Sequence, residues 1–252
     1  MIRKNKDYKT IGIIGGMGPL ATCDFFEKII RMTDASCDSE HIPILIDCNP
    51  RIPDRVKAIL HGGEDPVPEI LRSAKRLVRE GASILLMGCN TAYYFYDRVA
   101  GSLPVPLINM PAETAKGALR FGYKKVGLMA TDGTVQSGVY SKELEKLGIE
   151  PVLPSAEGQR AVMEMIYDGI KAGNSEIDPS AFIKAANGMM EAGADAIILG
   201  CTELPIAYHI YNIDLPYLDP AVFAAEAAVT AAGGKVRTLR ENSYGSHVGG
   251  II

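Results

Sequence analysis

A short segment of this chain is written twice, and the two copies limit what it can fold into. Residues 80–91 read Glu-Gly-Ala-Ser-Ile-Leu-Leu-Met-Gly-Cys-Asn-Thr, and residues 192–203 read Ala-Gly-Ala-Asp-Ala-Ile-Ile-Leu-Gly-Cys-Thr-Glu. Cys89 and Cys201 are 112 residues apart, and the pairs Gly81/Gly193 and Gly88/Gly200 keep that offset. Each apolar run is short, continuous and bounded by glycine, the pattern of a buried parallel strand. A segment of helical period precedes each run, over 70–80 and 182–191. Each cysteine therefore falls just past a strand's carboxyl end, where open α/β sheets bind ligands. Two thiols in equivalent places on related halves predict a cleft with one cysteine on each wall. A lone cysteine at a strand end is ordinarily packing. Duplicated packing, however, does not require the polar neighbours Asn90-Thr91 and Thr202-Glu203, which suit ligand binding or helix capping.

Other pieces repeat in the same order. Lys125 to Thr134 echoes the stretch from Thr10, with Gly12/Gly127 and Gly18/Gly133 both 115 residues apart. Residues 215–220 echo 105–111. A duplication is the simplest account. Strands alternating with helices predict an α/β fold of two pseudo-symmetric domains, each a mainly parallel sheet flanked by helices through right-handed crossovers. The active site is expected in the cleft between them. The expected division is a first domain of residues 1–105 plus about 208–240, a second of 106–207, and a C-terminal tail over 241–252. An alanine-rich helix over 221–232 is expected to pack back onto the first half. The polar, glycine-rich stretch 238–252 reads as loose.

Composition narrows the class of function. The 252 residues hold ample core, and 47% hydrophobic with 22% charged residues is ordinary for a soluble globular chain. A net charge of −4 offers no basic excess to neutralise phosphates, which disfavours nucleic-acid binding. No apolar run approaches the roughly 18 residues a bilayer span needs, so no membrane is expected. The basic start is followed by an apolar stretch that glycines break, unlike a signal peptide. Five cysteines without framework spacing read as reduced thiols in a cytoplasm. No His/Cys/Asp/Glu cluster has metal spacing.

Taken in order, a strand over 10–14 leads into Gly15-Gly16-Met17-Gly18-Pro19 and a helix over 20–33. That turn suits either an anion cradle or a tight structural bend, and does not fit the dinucleotide fingerprint. A second strand over 41–48 enters Asn49-Pro50-Arg51-Ile52-Pro53-Asp54-Arg55. Its two arginines suit a solvated turn or a bidentate carboxylate clamp. Residues 59–68, with Gly62-Gly63, are a candidate lid, Tyr93–Tyr96 an aromatic cluster on a helix, and 105–109 a further short strand.

Together these residues resemble the aspartate/glutamate racemase family, closest to its aspartate racemase branch, up to about Gly233. The matching signatures are Gly-Gly-Met-Gly-Pro at 15–19, Ile-Pro-Asp-Arg at 52–55 and Gly-Cys-Asn-Thr-Ala at 88–92. Ala-Thr-Asp-Gly-Thr at 130–134, Gly-Ile-Lys-Ala-Gly at 169–173 and Gly-Cys-Thr-Glu at 200–203 complete them. The resemblance implies cofactor-independent racemisation of an acidic amino acid, aspartate or glutamate, by a protein that commonly dimerises. It implies that Cys89 and Cys201 are the catalytic pair and that Arg55 and Lys171 recognise carboxylates. Met17, Asn90, Thr91, Ala92, Thr131, Thr202 and Glu203 would surround the substrate. One position departs: where the family commonly has His after Cys-Asn-Thr-Ala, this chain has Tyr93. A tyrosine titrates near pH 10 and cannot replace histidine as a neutral-pH proton acceptor. This bears on substrate choice more than on reaction type.

The chemistry explains why such residues are needed. Racemisation removes the α-proton from one face and returns one to the other, so one group must be thiolate while its opposite is thiol. Without an electron sink, oriented donors such as Thr91, Thr202 and backbone N–H groups must stabilise the carbanion. Two alternatives use the same cleft: an amino-acid-binding protein whose cysteines only pack, and a related decarboxylase or isomerase. Decarboxylases on this fold keep one catalytic cysteine, so the second disfavours them.

Overall fold

The computed structural model describes residues 7–174 and 176–237. The expected loose segment 238–252, including the tail 241–252, lies outside them. In the first half, β1 (Thr10–Gly15), α1 (Pro19–Met32), β2 (Ile44–Cys48), α2 (Arg55–Leu60), α3 (Val67–Arg79) and β3 (Ala82–Met87) follow in order. A 3-10 turn (Thr91–Phe95) leads to α4 (Tyr96–Ala100) and α5 (Met110–Arg120). The second half holds β4 (Lys125–Met129), α6 (Asp132–Ser137), α7 (Val139–Glu145), β5 (Glu150–Val152) and α8 (Ala156–Glu164). A π-helical segment (Met165–Lys171), α9 (Ser180–Glu191), β6 (Ala196–Leu199), α10 (Leu204–Ile210), β7 (Tyr217–Leu218) and α11 (Pro220–Ala231) complete it.

The duplication is visible in the sheets. One has the order β2-β1-β3 and the other β5-β4-β6-β7, and the strand pairs are parallel. β1, β3, β4 and β6 are buried along almost their whole length, which is why they read as continuous apolar runs. Gly81 and Gly193 recur for a backbone reason. Both follow a helix in the left-handed region, φ 104° and 89°, and donate to Val78 O and Met190 O at 3.0 and 2.9 Å. That C-terminal cap favours glycine.

The structure corrects three expectations. Residues 105–109 do not form a strand: Leu107 makes a single bridge to Leu85. The pairing still mirrors the second half, since Leu85 N donates to Pro106 O and Ile197 N to Pro216 O, each at 2.9 Å. The prolines at 104, 106 and 111 interrupt any longer ladder, because proline has no N–H to donate. β2 likewise begins at Ile44 rather than at residue 41, just beyond Pro43. Finally, β7 pairs with β6, so residues 217–218, assigned from sequence to the first half, lie in the second sheet.

α11 packs against α1, as expected, and also against α5, with Ala224, Ala225 and Ala228 fully buried. Lys28 of α1 reinforces that contact with an ion pair to Asp219 at 2.8 Å. Gly16 holds the β1–α1 turn against the loop after β2. Its φ is +89°, and a Cβ there would stand 2.5 Å from Asn49 N and O. Gly16→Ala should therefore destabilise by about 1–3 kcal/mol, through overpacking against backbone. The denaturant midpoint would fall with little change in slope. Gly81→Ala, with nothing within 4 Å, should cost less.

Candidate active site

The carboxyl ends of β1, β3, β4 and β6 converge on one cleft. Met17 follows β1, Cys89, Asn90 and Thr91 follow β3, Thr131 follows β4, and Cys201, Thr202 and Glu203 follow β6; all line it. Asp54, Arg55 and Val56 enter from the start of α2, and Tyr167 and Lys171 from the π segment. The empty space is small, about 290 Å³ including the part open to solvent. Both cysteines are 6% exposed. The duplicated strand thus delivers one buried thiol from each half to a shared space.

The two halves are stitched together beside the cysteines. The hydroxyl of Thr91 lies 3.0 Å from that of Thr131 and 2.9 Å from that of Thr134, which are themselves 3.1 Å apart. Thr131 also caps α6. Tyr140 of α7 donates its hydroxyl to Asn90 Oδ1. That bond fixes the amide so that Nδ2 is the free end, buried and without a protein partner. A buried donor left open beside a cleft is a place for a ligand acceptor.

The cysteines differ in their company. Arg55 anchors Nη1 on the carbonyls of Ile52 and Pro53, at 3.2 and 3.0 Å, and its buried Nε has no partner. Burial opposes the Arg55 charge most strongly, but Cys89, Asp54 and Tyr167 together hold the guanidinium above its ordinary value. On the other wall, Cys201 Sγ donates to Glu203 Oε2 at 3.0 Å. Thr202 donates to the same oxygen at 3.1 Å, and Lys171 Nζ meets Glu203 Oε1 at 2.9 Å. Burial and the Glu203 charge push the Cys201 thiol well up, against the pull of Lys171. Burial would depress Lys171, yet Glu203 and Cys201 keep it above the usual ammonium range. Tyr167 lies under Lys171, with the ammonium 5.6 Å from its ring centroid, and burial pushes its hydroxyl up to about 12.

Of the residues expected at the site, Ala92 alone does not line it; its side chain is fully buried in the first core. Arg51 also stays outside, so only one arginine of the loop faces the cleft. No residue of the candidate lid 59–68 lines it, and Asp65 is tied to Arg98 at 2.6 Å. The aromatic cluster splits between the 3-10 turn and α4 rather than sharing one α-helix. Tyr93 is buried and turned into the core, accepting from Met87 N at 3.3 Å, and burial raises its hydroxyl further. Asp54, Val56 and Tyr167 were not expected. Tyr167 stands four residues before Lys171, a spacing that shares a helical face and could have exposed it. Among the described residues, no group of three or more His, Cys, Asp or Glu is placed to hold a metal. Nor is any helix there long and apolar enough to cross a membrane.

Known proteins share this architecture. The chain is 34% identical to the Picrophilus torridus aspartate racemase structure, with a TM-score of 0.81, covering 91% of this chain and 96% of that one. It is 29% identical over 224 residues to the broad specificity amino-acid racemase RacX of Bacillus subtilis, covering 87% of this chain and 96% of that protein. The match to a glutamate racemase of Limosilactobacillus reuteri is 30% over 174 residues, 66% of this chain but 62% of that protein. The family model described as Asp/Glu/Hydantoin racemase matches residues 14–228, so the chain belongs to that racemase family.

Proposed function

We propose that this protein racemises an acidic amino acid, aspartate before glutamate, by two-base proton transfer at the α-carbon without a cofactor. The observation that carries this reading is the pair of cysteines at the ends of β3 and β6, one from each half, lining one cleft. A planar carbanion between them would have one sulfur on each face. Arg55 and Lys171, from opposite halves, offer a cation to each carboxylate of a dicarboxylic substrate. Asn90 Nδ2 and Arg55 Nε are the buried donors still free to meet it. The aspartate racemase among the similar structures supports aspartate, and the broad specificity relative supports testing further amino acids.

The test is L-aspartate incubated with the protein in D₂O, followed by the α-proton signal and by chiral analysis across a panel of amino acids. Loss of the signal with appearance of the D-enantiomer is expected. Binding with a retained signal would mark an amino-acid-binding protein instead. Activity should also survive EDTA and removal of pyridoxal phosphate. Lys171, the one lysine lining the cleft among the described residues, is held charged by Glu203 and so lacks the neutral amine a Schiff base requires. A strict requirement for metal or pyridoxal phosphate would refute the cofactor-free mechanism. We further propose a cytoplasmic homodimer, supported by the family resemblance and by three exposed free thiols, Cys23, Cys37 and Cys48. Light scattering would check the dimer.

A further inference from the structure

We propose that Glu203 is a positioning residue that keeps Cys201 as a thiol in the free protein, leaving Cys89, which faces Arg55, as the base that substrate first meets. The proposal rests on the two-base reading above and says which cysteine starts. Its basis is geometric. Glu203 is buried, and its Oε2 accepts from Cys201 Sγ at 3.0 Å and from Thr202 at 3.1 Å. An S–H bond to a carboxylate requires its proton, whereas a thiolate at that distance would be repelled. The groups acting on Cys201 are Glu203 beside it, Lys171 and Tyr167 from the π segment, Tyr140 from α7, and Cys89 opposite. Lys171 is the cation among them, and it is already paired with Glu203. On the opposite wall the guanidinium of Arg55 lines the cleft with Cys89, and no carboxylate lies within two residues of that thiol along the chain.

A directional cycle follows. The Cys89 thiolate takes the α-proton of one enantiomer, and the C–H electron pair stays on carbon. Cys201 then gives its S–H proton to the other face, becoming thiolate while Cys89 is left as thiol. Release of product leaves the exchanged form. Rest is restored when Cys89 loses one proton to solvent and Cys201 gains one. The two enantiomers therefore meet the protein in different protonation forms.

Iodoacetamide labelling against pH tests this, with the Cys89 and Cys201 peptides quantified separately by mass spectrometry. In the unmodified chain at pH 7, Cys89 should label before Cys201, each rate normalised to its high-pH plateau to remove differences in access. In Glu203→Gln the Cys201 profile should move to lower pH by a unit or more, about a tenfold faster labelling at pH 7. Lys171→Met should move it to higher pH. Opposite shifts cannot come from a general loosening of the cleft. A Cys201 profile unmoved in Glu203→Gln, or Cys201 labelling first in the unmodified chain, would overturn the proposal. Labelling needs no substrate, so the expected shifts without α-proton exchange would sink the racemase reading alone.

Discussion

Serine at either Cys89 or Cys201 is expected to lower racemisation by about 10²–10⁴-fold, the usual loss for an acid–base group, while leaving exchange at one enantiomer. Serine keeps the shape and hydrogen-bonding reach of cysteine but does not ionise near neutrality without an activating base. Each variant retains the sulfur of the other wall, because the two thiols come from different strands, β3 and β6. That sulfur can still take the α-proton from the face it meets. The Cys89→Ser and Cys201→Ser variants should thus prefer opposite enantiomers in α-hydrogen exchange, or in elimination from a β-substituted analogue. Identical preferences in both, or undiminished racemisation in either, would exclude the opposed-base assignment. Retained folding is expected, since serine is close to cysteine in size and both positions border the cleft at the edge of their cores.

The reason so much of this arrangement was legible in the sequence is that strand ends are fixed by pattern. A continuous apolar run closed by glycine has few ways to fold other than as a buried parallel strand, so Cys89 and Cys201 could be placed without coordinates. The repeat carried the rest of the frame: β2-β1-β3 recurs as β5-β4-β6. What escaped was set by partners remote in sequence. The Thr91–Thr131–Thr134 contact spans about forty residues, and the Tyr140–Asn90 bond fifty. No local spacing announces either. Glu203 could be placed at the cleft, but its hold on Cys201 and Lys171 depends on the π segment meeting α10. Ala92 failed for the converse reason. It shares a motif with Asn90 and Thr91, yet the 3-10 turn that follows rotates it into the core.

Removing the charge at Arg55 is expected to raise the KM for aspartate and lower kcat/KM by about ten- to a hundredfold, the loss of a charge-assisted hydrogen bond worth roughly 1.5–3 kcal/mol. Arg55→Met keeps the length of the side chain, so the loss reports charge and donors rather than packing. The guanidinium has a free buried Nε and two carbonyl anchors, and among the described residues it pairs with no carboxylate that would have to release it, so its loss should appear directly in substrate binding. Lys171→Met should behave differently. It removes the cation from Glu203, whose side chain is only 7% exposed, and leaves that carboxylate beside both Cys201 and the incoming substrate. Repulsion then adds to the lost contact, and the defect should exceed that of Lys171→Met/Glu203→Gln, in which both charges are absent. Such non-additivity is what a shared network gives. The measurement is kcat/KM for aspartate and for a monocarboxylic amino acid in all three variants. If Arg55→Met leaves kinetics unchanged, the guanidinium serves only to brace its own loop. If the double variant is no better than Lys171→Met, Glu203 is not the charge that Lys171 holds in check. The expected pattern requires both cations, yet ties only one of them to an internal carboxylate, so the substrate would meet Arg55 as a cation with no carboxylate to displace and Lys171 as one it shares with Glu203.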